Sequence, residues 1–122
     1  MARRTTETDP NDLLPLTNAM FHILLALVGE EQHGYAIMRD VEESTDGTVR
    51  LGPGTLYRAV QSLLDKGVID ESARKPGDAD DQRRRYYRLT PFGRRVLAAE
   101  TLRMAAAVAR ARAKHIPTTQ AR

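Results

Sequence analysis

Residues 51–67, LGPGTLYRAVQSLLDKG, carry side chains suited to directional hydrogen bonding with a polyanion. Thr55, Arg58, Gln61, Ser62 and Asp65 recur at spacings that put them on one side of a helix advancing 100° per residue. Hydroxyl, amide and guanidinium groups so placed can donate to phosphate oxygens and to the edges of bases. A second cationic set follows at Arg74, Lys75, Arg83, Arg84, Arg85 and Arg88, interrupted by Asp78, Asp80 and Asp81. Arginines of this kind are drawn to a phosphate backbone or a narrow minor groove. A plainer reading stands beside this one. A polar face is the default on an amphipathic helix, and arginines also keep an edge strand soluble.

The first set needs a helix to position it. Leu56, Ala59, Val60, Leu63 and Leu64 fall at i, i+3, i+4, i+7 and i+8, a single core-facing stripe opposite the polar residues. Gly52 and Pro53 open this helix and Gly67 closes it. Two helices are predicted upstream. Thr17 serves as N-cap for one running to about Val28, apolar almost all round, hence the central core helix with part of its surface available to another subunit. The other spans about residues 35–45, with Ile37, Met38 and Val41 turned inward, and ends at the Asp46-Gly47 turn. Helix, helix, short extended link and helix fit a helix-turn-helix in which the third helix is presented to DNA.

The second set needs a β-hairpin. Strands are predicted from Val68-Ile69 onward and over residues 84–89, joined by the turn-rich residues 75–82, so the hairpin becomes the wing of a winged helix-turn-helix. Thr90-Pro91, an N-cap followed by proline, then starts a helix that nothing breaks until about Lys114. Leu97, Thr101, Met104, Val108 and Ala111 recur along it at alternating spacings of 4 and 3, a coiled-coil-like seam. A small three-helix core covers only the first turns of so long a helix, and a second copy of the chain is the economical partner for the rest. The fold class is therefore mainly α with a small β-hairpin: a winged helix-turn-helix plus a long C-terminal dimerisation helix. Residues 1–12 read as a disordered lead-in, 13–90 as the DNA-binding domain, 91–115 as the dimerisation helix and 116–122 as a frayed tail.

Composition narrows the function classes. The 122 residues fit one domain, and aromatics at 5% make its core aliphatic. The absence of cysteine excludes a disulfide framework, a zinc ribbon and thiol catalysis. No apolar run is long enough to span a membrane and no apolar signal core follows the N-terminal arginines, which points to a cytoplasmic protein without a membrane partner. Charge is divided unevenly. Residues 1–48 carry a net −6 and residues 49–122 a net +9, so the positive field begins where the third helix begins. Chemistry of the enzyme kind has no support. The three aspartates lack the ligand spacing and glycine of a calcium loop, and no glycine-rich phosphate loop or paired nucleophile is present, so neither catalysis, metal nor cofactor is expected.

Seven pieces in fixed order carry a resemblance: Leu16-Thr17, Ile23-Leu24, His33-Gly34-Tyr35, Gly54-Thr55-Leu56-Tyr57, Leu63-Leu64, Gly67-Val68-Ile69 and the run from Arg85 to Thr90. Together they closely resemble the PadR family of bacterial transcriptional regulators over about residues 13–108. The resemblance implies a winged helix-turn-helix, a dimerising C-terminal helix and, usually, repression of a neighbouring gene. A single helix after the wing is similar to the short form of the family, while the longer acidic wing tip departs from it. Tyr57 matches a tyrosine of the family's recognition helix, implying a DNA contact, although its phase at the border of the apolar stripe suits packing almost as well. Gly34 and Tyr35 match a structural motif, a tight helix start with a ring in the core. His33 suits a helix cap better than a pH sensor or metal ligand, since the chain holds only three histidines and no cysteine.

The function expected on this basis is a homodimeric repressor released by a small-molecule ligand. Its partners are double-stranded DNA with a near-palindromic operator, a second copy of the chain and the small-molecule effector. Pro53, Gly54, Thr55, Tyr57, Arg58, Gln61, Ser62, Lys75, Arg83, Arg84 and Arg85 are the expected DNA-binding residues, with Leu97, Thr101, Met104 and Val108 at the dimer seam. The competing expectation is a dimeric winged-helix adaptor that grips an acidic protein instead of DNA.

Overall fold

Side-chain caps decide where three of the four helices begin. The computed structural model describes residues 8–72 and 85–119. In chain order it contains a 3-10 turn (Pro10–Leu13), α1 (Asn18–Ala26), β1 (Gln32–His33), α2 (Gly34–Ser44), α3 (Pro53–Asp65), β2 (Ile69–Glu71), β3 (Tyr86–Leu89) and α4 (Pro91–Ala113). The Met20 N–H donates to Thr17 Oγ1 at 3.1 Å, the Ala36 N–H to His33 Nδ1 at 3.3 Å and the Gly93 N–H to Thr90 Oγ1 at 2.9 Å. Each cap satisfies a backbone donor that the first turn of a helix leaves without an intrahelical partner. His33 is thus a cap residue, as its isolation in the sequence suggested.

Ile23, Leu24 and Leu27 of the first helical segment meet Ile37 and Val41 of α2 and the stripe Leu56, Ala59, Val60 and Leu63 of α3. Val68, Ile69, Tyr87, Val96 and Leu97 extend this core toward the sheet and the first turns of α4. Leu25 and Val28 remain exposed on the opposite side of the first helix.

The expected two-stranded hairpin is the larger part of a three-stranded antiparallel sheet ordered β1-β3-β2. Ile69 pairs with Leu89, Asp70 with Arg88 and Glu71 with Tyr87, while β1 adds Gln32 opposite Tyr87 and His33 opposite Tyr86. The sequence predicts no strand ahead of α2. The Gln32 side chain holds the extra strand in place, donating to the Ala26 carbonyl at 2.6 Å and to Asp40 Oδ2 at 3.0 Å.

Order also begins earlier than residues 1–12 were expected to allow. Asp9 caps the 3-10 turn by accepting from the Asn11 N–H at 2.9 Å, and the turn packs on α4. Glu100 fastens the same segment, accepting from the Leu16 N–H at 3.0 Å. Along α4, Gly93, Val96, Leu97 and Glu100 are buried, whereas residues 101–110 are exposed. Leu97 therefore belongs to the core of its own chain and not to a free seam, because its phase matches that of Gly93, Val96 and Glu100. Among the described residues no helix is long and apolar enough to cross a membrane.

Candidate nucleic-acid interface

α3 divides cleanly into two faces. Leu56, Ala59, Val60 and Leu63 are buried, and Pro53, Gly54, Thr55, Tyr57, Arg58 and Gln61 are exposed. Pro53 supplies a preset first-turn φ, and no side chain among the described residues caps the helix at Gly52. The N-terminus thereby keeps its partial positive charge and its outward N–H groups at Gly54 and Thr55 for an external acceptor. Arg58 folds back over this turn. A Cβ on Gly54 would lie 3.5 Å from Arg58 Nη1, so the guanidinium and the helix end converge on one spot. Both kinds of donor suit an anionic or acceptor-rich ligand such as a phosphate or a base edge.

Two other residues of the outer face are already engaged within α3 and just beyond it. Gln61 Nε2 donates to Asp65 Oδ1 at 3.1 Å, and Lys66 Nζ donates to Ser62 Oγ at 2.8 Å. Both bonds are local and exposed, and both must open before either side chain reads a base. Tyr57 is 49% exposed, with its hydroxyl end pressed against Gly34 at the start of α2. The missing Cβ of Gly34 is what admits it.

Tyr35 corrects an expectation. The residue is 61% exposed, outside the core, with the Arg39 guanidinium 5.9 Å from the ring centre. The buried face of α2 runs through Gly34, Ile37 and Val41, and residue 35 lies 100° away from it.

The base of the wing is electrically paired. Arg85 Nη1 lies 3.1 Å from Glu71 Oε2, and Arg88 Nε lies 2.8 Å from Asp70 Oδ1 across the β2–β3 ladder. The Asp70 hydrogen bond and charge hold the Arg88 proton more firmly than usual. Arg85 must exchange a carboxylate for a phosphate to contact DNA. Lys75, Arg83 and Arg84, together with Arg74 and the aspartates of the wing tip, lie outside the described residues. Among the described residues no group of histidines and acids could hold a metal ion.

Glu100 escaped the sequence reading. It is 2% exposed and receives Arg103 Nε at 2.6 Å, Arg103 Nη2 at 3.1 Å and the Leu16 N–H. The Arg103 hydrogen bond first, then the Leu16 amide, lower its pKa against the opposing effect of burial. The signal was its phase, three and four residues beyond Leu97 and Val96.

Two helices packed beneath α3, the exposed polar face of α3 and the β2–β3 strands that follow it, paired with β1, define a winged helix-turn-helix protein. The chain belongs to the PadR-like family of transcriptional regulators, whose family model matches residues 23–99, and members of this family are regulators and not enzymes. An uncharacterized protein of Lysinibacillus sphaericus is 31% identical over 77 residues, covering 62% of this chain and 68% of that protein. A transcriptional regulator from Clostridium thermocellum superposes with a TM-score of 0.63 at 25% identity, covering 79% of this chain and 90% of the other. Bacillus subtilis PadR, solved in complex with operator DNA, superposes with a TM-score of 0.57 at 22% identity over 70% of this chain and 47% of that one.

Proposed function

We propose that this regulator is a homodimeric repressor that binds a near-palindromic operator through α3 and leaves it when a small-molecule effector binds. The observation that carries the reading is the uncapped N-terminus of α3 beneath the Arg58 guanidinium, on a helix whose Thr55, Tyr57 and Gln61 are exposed beside it. The operator complex of Bacillus subtilis PadR, a protein of the same fold, supports DNA as the target. Residues 13–90 then serve as the DNA-binding domain and residues 91–115 as the dimerisation helix, in a protein that acts on DNA in the cytoplasm.

Two-fold pairing is supported by apolar surface that the single chain leaves wet. Leu102, Met104 and Val108 on α4 and Leu25 and Val28 on and after α1 are exposed. Covering each large side chain contributes roughly 1.5 to 3 kcal/mol, enough in sum to offset the entropy of association. An effector lodged between such helices would change the distance between the two recognition helices, a direct route to release.

Selection of bound fragments from a random duplex pool at low salt tests the DNA reading and returns the operator. The slope of log K against log salt should be steep, about −0.9 per neutralised phosphate. A slope near zero together with an empty selection would remove DNA as the target and leave the acidic-protein partner.

A further inference from the structure

We propose that Glu100, held by Arg103, is a positioning residue that fixes the take-off of the α4 arm and so sets which half-site spacing the dimer accepts. The inference rests on the two-fold, DNA-binding reading above. It starts from a carboxylate that hydrophobic packing alone does not require. Glu100 lies in phase with Val96 and Leu97, a place where an aliphatic side chain would fill space without desolvating a charge. The carboxylate is buried while the Arg103 side chain is 49% exposed, so the pair closes over the core at its edge, and the best-attested use of such a desolvated charge is to fix a register or a geometry. Here the bonds are directional and leave little freedom. Both carboxylate oxygens are used, Oε1 by Arg103 Nε and Oε2 by Arg103 Nη2 and the Leu16 N–H, which lies 84 residues away in the chain.

Position makes this fastening mechanical. Glu100 is the last buried residue of α4 before the exposed stretch 101–110, so it sits where the helix leaves its own core. Leu16 immediately precedes Thr17, the cap of α1, and α1 packs on both α2 and α3. One side chain therefore joins the base of the arm to the helix that supports the recognition helix. From Thr101 to Ala113 the arm is about 20 Å long at 1.5 Å per residue. A tilt of roughly 10° at its base displaces the far end by about 3.5 Å, close to the roughly 3.4 Å rise of one base pair. Small freedom at Glu100 thus covers the translation that one base pair adds, though not its rotation of roughly 34–36°, and so weakens the spacing preference without abolishing it.

The experiment compares the selected operator with duplexes carrying one base pair inserted or deleted at the centre, using the full chain, Glu100→Gln and Glu100→Leu. Helix content, solution mass and denaturation midpoint are recorded for each protein. The wild-type chain should prefer the selected spacing by about tenfold or more, of the order that one wrong base pair imposes. Both variants should remain dimeric while this preference falls to about threefold or less, in Glu100→Leu as in Glu100→Gln. Unchanged preference in a folded, dimeric variant overturns the inference. Should Glu100→Leu fail to fold, Glu100→Gln decides by the same ratio. Specific wild-type binding with no spacing preference instead overturns the two-fold reading, and the inference with it, whereas no specific binding overturns the DNA reading.

Discussion

Replacing Gly93 with alanine should destabilise the protein even though alanine is the better helix former. A Cβ at this position would collide with the Val68 carbonyl oxygen, and would lie 2.9 Å from the carbonyl carbon and 3.0 Å from Leu89 Cδ1. The obstacle is backbone, so no rotamer change relieves it. The Val68 oxygen also accepts from the Thr90 N–H at 3.1 Å and from Thr90 Oγ1 at 3.0 Å, while Thr90 caps α4. Moving the α4 backbone away therefore disturbs the cap as well as the packing. Overpacking costs about 1 to 3 kcal/mol and a weakened N-cap about 1, against a helix-propensity gain of about 1. The expected net loss is about 1 to 3 kcal/mol. Urea denaturation at one fixed protein concentration measures it, with the wild-type midpoint as reference and the slope checked for constancy. Equal or greater stability of Gly93→Ala would refute the claim that this close approach holds α4 against the entry to β2. Gly34→Ala is the internal control. Its added Cβ meets chiefly the end of the Tyr57 ring, a side chain able to swing outward, so its loss of stability should be the smaller.

Three further outcomes are expected. Arg58→Ala should reduce the ratio of operator to scrambled-duplex affinity by about 1 to 3 kcal/mol if the guanidinium reads a base; an unchanged ratio in a filter-binding titration assigns it to the backbone. Truncation after Met104, which retains Arg103 as the Glu100 partner, should give a monomer by sedimentation with weakened operator binding; a truncated chain that stays dimeric contradicts the role given to α4. The contribution of Glu100 should be fully present above its unfolded pKa of about 4.5 and lost as pH falls through its depressed folded value, because protonation abolishes the carboxylate that Arg103 and Leu16 hold. Stability curves of wild type and Glu100→Gln should accordingly converge in acid, and curves that stay parallel from neutrality down would contradict this.

Local signals made much of this molecule legible. The apolar stripe of α3, the Thr17 and Thr90 caps and the proline after Thr90 all act within a few residues of the structure they specify, and each appears where the spacing placed it. What escaped depends on distant partners. β1 is two residues long, too short to show alternation, and exists because β3 offers it an edge. The 3-10 turn has the polar composition of a loose end, yet it packs on α4, and Glu100 of that helix holds the Leu16 amide three residues beyond the turn. Tyr35 misled because a ring beside a glycine resembles a buried anchor, while the helical phase put Gly34 inside and the ring outside. The exposed face of α3 was legible as chemistry, but the local bonds of Gln61 and Ser62 were not, since sequence spacing alone does not say which pair forms.

The short strand β1 has a consequence for how the wing handles load. His33 pairs with Tyr86 in the sheet and, with its ring, caps α2; the two rings also meet in a T-shaped contact, their centres 5.4 Å apart. Gln32, its neighbour, reaches back to the end of α1 and across to α2. The central strand of the sheet is therefore clamped from both sides, and its base cannot pivot without uncapping a helix of the helix-turn-helix. Like the jaws of a fixed calliper, the base of the wing and α3 are tied through α2, whose cap lies in β1 and whose body packs on α3.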